Sequence, residues 1–458
     1  MKTLIHGARL VATMDDERRE LVGGYVVVDG TRIERVGAGH PPRDVVAQKR
    51  IDARGKLVLP GLVNTHHHLP QVLTRNLPGV QEARLFDWLE RLYQVWRGID
   101  AAAVGVAARV GLGELLLTGC TTSSDHLYLF PRGEERLIDV EIEAALELGI
   151  RFHPTRGSMS RGRSQGGLPP DDVCQDEKTI LDDCRRLIGE YHDPRPGAMT
   201  RIALAPCSPF SVTDDLMRRT AELARTEGVR LHTHLAETRD EEQWCQETQG
   251  CRPVEYLRRL GWLGADVWLA HCVYLNDEEI ALFGETGTGV AHCPSSNFRL
   301  GSGIARVRDL LGAGAPVGLG VDGSASNDTS NMLAEARQAL LAHRLDPDPR
   351  RWLSAREVLW AATRGGARCL GREDVGSLEP GKAADLILID TRRLSYAGAG
   401  GDILAALVFS PWPEPVDTVM VNGRVVVSGG ELVSIDVPSL IAYAESVARR
   451  LSRGLGPA

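Results

Sequence analysis

Between about residues 57 and 370 the chain repeats one pattern eight times. A short apolar run is followed by a helical stretch of about 10–15 residues, the signature of strands joined by crossover helices in a parallel sheet. The runs are LVLPGLVNTHHH, TTSSDH, RFHPTRG, RIALAPCSP, RLHTHLAE, VWLAHCV, GTGVAHCP and PVGLGVDG. A doubly wound open sheet also alternates in this way, but a count of eight favours a closed (β/α)8 TIM barrel. Each run is apolar first and ends in His, Asp, Cys, Arg or Ser. In a barrel of this class, side chains at the C-terminal strand ends gather in one place.

The two chain ends read differently. YVVVDG and TRIERVGA form an expected hairpin, and VDTVMVNGRVVVSGG carries an Asn422-Gly423 turn between two β-type runs. We expect residues 1–58 and 371–436 to build one small β-sandwich, 59–370 the barrel, and 437–458 a C-terminal helix and tail. A chain of 458 residues can bury a large core. With a net charge of −8 it carries no basic footprint for nucleic acid. The start lacks the apolar segment of a signal peptide, and no stretch is long enough to span a bilayer. Nine cysteines without a CxxC pair suggest reduced thiols and a cytoplasmic location.

Two HxH pairs stand far apart, His66/His68 and His232/His234. Residues two apart on a strand share a face. A divalent first-row metal takes about four ligands from imidazole, thiolate or carboxylate. His66 and His68 from the first run, His234 from the fifth and Asp322 from the eighth supply such a set. His67 faces the other way, and His232, one pleat deeper, reads as a packing or supporting residue. A lone strand-end histidine is more often a hydrogen-bonded structural group than a ligand. The joint pattern, with His271 ending the sixth run, is far more specific.

The motifs PGLVNTHHH, HLAET, LAHCV, HCPSSN, GLGVDGSASND and GSLEPGKAADLILID resemble the amidohydrolase superfamily in its cytosine deaminase-like branch, over nearly the whole chain. That resemblance implies one metal, zinc or iron(II), held by His66, His68, His234 and Asp322. Zinc is the expected ion. No lysine ends the fourth run, which argues against a two-metal site. The resemblance implies a hydrolase of cyclic amidines in which Asp322 takes a proton from the attacking water, Glu237 shuttles protons and His271 hydrogen-bonds the reacting oxygen. Read alone, Glu237 would be a carboxylate at a helix N-terminus. Relatives commonly assemble, which implies a homo-oligomer.

Three segments, around 67–96, 154–172 and 296–332, resemble those of purine-directed members. They imply that 8-oxoguanine is converted to urate and ammonia. Alternatives are an s-triazine amino- or chlorohydrolase, another purine or pyrimidine deaminase, or a barrel that has become a non-catalytic scaffold. Four residues are candidate substrate contacts: Gln71, Trp88, Arg156 and Asn327. Each has a plainer reading: a loop amide, a core indole, an ion-paired arginine and a loop-shaping asparagine. Cys207, Ser208 and Ser324 read as packing or loop-forming residues. The Gly/Ser/Arg/Pro stretch at 158–172 is a candidate lid.

Overall fold

The first apolar run divides at Gly61. In the computed structural model, which describes residues 1–410 and 415–453, Lys56–Pro60 pairs antiparallel with Leu386–Asp390 in a seven-stranded sheet. Only Leu62–Asn64 enters the barrel. A side chain at residue 61 would place its Cβ 2.0 Å from Thr121 Oγ1, so the crossing needs glycine. The strand Lys56–Pro60 therefore straddles the expected division at 58/59.

All eight runs contribute a strand to one closed parallel barrel. They are β1 (Leu62–Asn64), β2 (Cys120–Leu127), β3 (Arg151–Ser158), β4 (Ala203–Pro206), β5 (Arg230–Leu235), β6 (Val267–His271), β7 (Gly289–His292) and β8 (Val317–Leu319). The apolar residues of the runs, such as Leu204, Leu231, Leu269 and Val290, are fully buried. Burial on this scale supplies the main drive to fold.

Closure is narrow. The β8–β1 ladder is the single pair Leu319↔Asn64. Hydrogen bonds beyond the ladder extend it: Thr65 N–H to Leu319 O at 2.9 Å, Val321 N–H to Asn64 Oδ1 at 2.9 Å, and Asp322 N–H to His66 O at 3.0 Å. His66 and Asp322 are thus neighbours across the seam that closes the barrel.

The chain ends form a four-stranded and a seven-stranded sheet. Tyr25–Asp29 and Arg32–Gly37 make the expected hairpin. Thr418–Val421 turns into Arg424–Ser428 through Asn422 and Gly423, both at positive φ (49° and 76°), the conformation a two-residue hairpin turn demands. Ile5, Val26, Val58 and Leu388 belong to a hydrophobic cluster that draws on both sheets. The C-terminal helix Val437–Ser452 packs on helix Ala101–Leu117, where Arg450 Nη1 pairs with Asp100 Oδ2 at 2.7 Å. Of the helix and tail expected at 437–458, residues 454–458 lie outside the described residues. No helix among the described residues is long and apolar enough to cross a membrane, and all nine cysteines are free.

Candidate metal centre and active site

Hydrogen bonds fix which nitrogen of each central histidine carries the proton. A carbonyl oxygen can only accept. His68 Nδ1 lies 2.7 Å from His126 O, and His234 Nδ1 lies 2.6 Å from Cys207 O, so both rings donate from Nδ1. His232 likewise donates Nδ1–H to Trp268 O at 2.8 Å. Its Nε2 is left as an acceptor for His66 Nδ1–H, also at 2.8 Å. Burial keeps the imidazoles neutral: it holds His66 and His232 well below the ordinary histidine range and His234 at about 3. His66, His68 and His234 are therefore left with bare Nε2 lone pairs.

Those three lone pairs converge. His68 Nε2 is 3.0 Å from His234 Nε2, with no proton to lie between them. Asp322 Oδ1 is 3.4 Å from His66 Nε2 and 3.3 Å from His68 Nε2. His66 Nε2 is buried without a hydrogen-bond partner. A tetrahedral ion with bonds of about 2.0–2.1 Å sets its donor atoms about 3.3 Å apart. Both the spacing and the lone-pair count fit a divalent cation.

His126 joins the same cluster, its ring stacked on His234 at 4.8 Å. Its Nε2–H is committed to Ala205 O at 2.8 Å. The strand-end run TTSSDH carries the signal for it, though His126 is absent from the ligand set expected from the sequence. The HxH pair of the first run lies just past β1 rather than within it. His68 precedes the short helix Leu69–Thr74, whose first N–H donates to Asp125 Oδ1 at 2.7 Å.

Glu237 and His271 face each other beside this centre, with Oε2 and Nε2 3.6 Å apart. The parallel register Leu235↔His271 sets them on adjacent strand ends. Ser302 Oγ is 3.4 Å from Glu237 Oε1, and His271 Nδ1 is 2.9 Å from Asn297 Oδ1. Glu241, in helix Arg239–Gln249, reaches back to accept the N–H groups of Ala236 and Glu237 at 2.8 and 2.9 Å, fixing the backbone of the turn. Burial raises Glu237 above the usual carboxylate range. Burial would lower His271, but the Glu237 and Asp322 carboxylates outweigh it and hold the imidazole above its ordinary value. His271 (φ 72°) and Asp322 (φ 63°) both adopt left-handed backbone. Such strain, about 1–3 kcal/mol a residue, gathers where a site over-determines the chain.

A cavity opens over the cluster, and its roof is helix Leu85–Trp96, which presents Leu85, Trp88, Leu89 and Tyr93. Residues 57–426 match the amidohydrolase family.

The chain belongs to the amidohydrolase family.

It is 50% identical over 435 residues to the 8-oxoguanine deaminase of Pseudomonas aeruginosa, covering 95% of this chain and 96% of that protein. It is 38% identical to hydroxydechloroatrazine ethylaminohydrolase of Pseudomonas sp. (strain ADP), covering 88% and 85% of the two chains. Among solved structures, it superposes on atrazine chlorohydrolase from Arthrobacter aurescens TC1 complexed with zinc. The TM-score there is 0.93 and the identity 38%, over 97% of this chain and 100% of that one.

Within this amidohydrolase barrel, two candidate substrate contacts line the cavity and two do not. Gln71 and Trp88 line it, and both are buried with an unpartnered polar atom, Gln71 Oε1 and Trp88 Nε1. Arg156 corrects our expectation. It faces the helix layer, bound to Asp183 Oδ2 at 2.6 Å and Gln175 Oε1 at 2.8 Å, with its guanidinium 3.9 Å over the Phe130 ring. Asn327 is likewise turned away. Its Nδ2 bonds Val321 O and Glu335 Oε2, which shapes the loop after β8, and Ser326 reaches the cavity instead. Cys207 and Ser208 line the cavity too, beyond the packing role expected of them. The 158–172 segment is not among the cavity-lining residues. It is tied by Arg161 N–H to Ser211 O and by Asp172 to Arg97. Covering the centre falls to the 85–96 helix.

Proposed function

We propose that this protein is a metal-dependent aminohydrolase that converts 8-oxoguanine and water to urate and ammonia. The observation that carries the reading is the convergence of three imidazole lone pairs and the Asp322 carboxylate beside the Glu237–His271 pair. His66, His68, His234 and Asp322 would hold one divalent ion, zinc in our reading, as in the chlorohydrolase structure. Such an ion supplies Lewis acidity, lowering the pKa of a water it binds towards about 7.

The side chains do the rest. Asp322, acceptor-only in its ionised state, takes a proton from the attacking water. Glu237, desolvated and held as a ready acid, protonates the ring nitrogen next to the carbon bearing the amino group, which makes that carbon electrophilic. Having given up that proton, it takes the remaining proton from the new hydroxyl and passes it to the departing amine, so that ammonia leaves as the carbonyl forms, and the proton held by Asp322 then restores the acid. His271, its Nδ1 held by Asn297, presents Nε2 to the oxygen that gains charge.

For a purine, the cavity offers flat aromatic walls, Trp88, Tyr93, Tyr128 and Phe210, with polar atoms at the edges. Leaving Gln71 Oε1 and Trp88 Nε1–H unpaired costs about 1–3 kcal/mol each. A heteroaromatic ring with an N–H and a carbonyl on its edges removes that cost. The residue under Gln71 provides a test. A Cβ at Gly323 would lie 1.9 Å from Gln71 Oε1, so Gly323→Ala must displace the amide. We expect KM to rise about 3- to 10-fold, with metal content unchanged, for one hydrogen bond lost. An unchanged KM in steady-state assays would remove Gln71 from the substrate contacts.

The substrate itself is tested by ammonia release from metal-analysed protein offered 8-oxoguanine, guanine, isocytosine and hydroxyatrazine. Turnover on 8-oxoguanine and silence on hydroxyatrazine is expected. The opposite pattern would transfer the chain to the triazine hydrolases its fold also matches.

A further inference from the structure

A second cavity, of about 410 Å³, lies at the opposite end of the barrel from the metal cluster. It opens where β4 and β5 begin, against the 369–372 segment that leads back towards the sandwich. Six of its lining residues carry polar side chains: His153, His192, Arg201, Arg225, Arg230 and Asp266. Asp266 is the one acid among them, and its Oδ2 already accepts from Arg225 Nε at 3.1 Å.

What remains is a set of donors. Arg201 reaches Pro194 O at 2.9 Å and Gly371 O at 3.3 Å, and Arg230 reaches Cys369 O at 2.8 Å. Among the described residues neither forms an ion pair, and the Nε of each is buried with no partner. His192 Nδ1 accepts the Ile202 N–H at 3.1 Å, which leaves its proton on Nε2. His153 Nε2 accepts from Arg372 Nη1 at 3.2 Å, which leaves its proton on Nδ1. Arg372 and Arg151 lie close by, but their charges are matched by Asp374 and Asp385. The chain as a whole is acidic, with net charge −8, yet here two guanidinium groups form no ion pair in a concave, part-buried place, the carboxylates of Asp193 and Asp374 acting on Arg201, and that of Asp266 on Arg230, only at longer range. Buried charge without a partner is costly, and an oxyanion relieves it through charge-assisted bonds from planar forks.

We propose that this cavity is a binding site for a phosphate group, held between Arg201 and Arg230 with the two histidines as further donors. Free inorganic phosphate and the phosphate end of a nucleotide share this chemistry. The cavity is larger than the inorganic ion needs. A ligand here would clamp the starts of β4 and β5 to the 369–372 segment and stabilise the chain without touching the substrate cavity. This site does not depend on the deaminase reading.

The test is calorimetric titration of the metal-loaded protein with inorganic phosphate, a nucleoside monophosphate and the matching nucleoside, at constant ionic strength set with chloride. We expect saturable binding of both phosphate-bearing ligands and none of the nucleoside at this site. A nucleotide at least tenfold tighter than phosphate would identify a nucleotide site, and equal affinities a free-phosphate site; either supports the proposal. Arg201→Gln and Arg230→Gln should each weaken binding at least tenfold. Arg201 is only half-buried, so its variant keeps the test sound if Arg230→Gln fails to fold. Turnover of Arg201→Gln, measured alongside, should match the wild type. No binding above chloride background, or binding unchanged in Arg201→Gln, overturns the site.

Discussion

Replacing Glu237 with glutamine is expected to leave the metal content unchanged and to cut turnover about a thousandfold, within the range general acid–base catalysis contributes. That corresponds to about 4 kcal/mol of transition-state stabilisation. The substitution is nearly isosteric. The turn that carries it is held by Glu241 through the N–H groups of Ala236 and Glu237, neither of which the change touches. Ser302 can still bond the side-chain oxygen. What is lost is the capacity to take up and release a proton 3.6 Å from His271 Nε2, in a pocket whose burial raises the acid's pKa and so keeps its proton available for transfer. Metal analysis and steady-state kinetics on one preparation decide the matter. Turnover within tenfold of wild type would mean that Glu237 shapes the turn and moves no proton.

The barrel was legible because its eight strands are buried on both faces and so read as apolar runs, while polar residues collect at one end. The metal cluster was legible for the same reason: His66, His68, His234 and Asp322 all terminate runs. Parity was harder to read. Arg156 stands four residues from Phe152, on the same face of β3, and Phe152 packs in the apolar core. Counting by twos places the guanidinium against the helices, but a run with a proline inside it, as in RFHPTRG, obscures where the count begins. Both readings of Asn327 stay open in the sequence because loop residues beyond a strand have no period to follow. His126 is hard to read from sequence because its run ends in two polar residues, Asp125 and His126, and only the fold shows which one approaches the centre. The 85–96 helix shows its second role in sequence only through Trp88, a candidate substrate contact with a core reading beside it, because an amphipathic pattern is the same whether the apolar face covers a core or roofs a cavity.

His66→Ala should empty the centre. The variant is expected to hold less than about a tenth of the wild-type metal and to show no turnover above background, since removing one ligand weakens the whole cage. Two Nε2 lone pairs, those of His68 and His234, would remain 3.0 Å apart with Asp322, one ligand short of the set. His232 Nε2 would also lose the N–H it accepts. The fold should survive, because the barrel seam at this point runs through the backbone: the His66 carbonyl still accepts Asp322 N–H, and Thr65 still bonds Leu319. Circular dichroism and a cooperative thermal transition would separate metal loss from unfolding. His126→Gln is the contrasting variant. A glutamine amide can keep the hydrogen bond to Ala205 O, and the other four residues already supply the protein's full share of ligands. It should retain metal. If His126→Gln emptied the site and His66→Ala did not, the ligand set drawn here would be wrong, and the reaction would have to be rebuilt around β2.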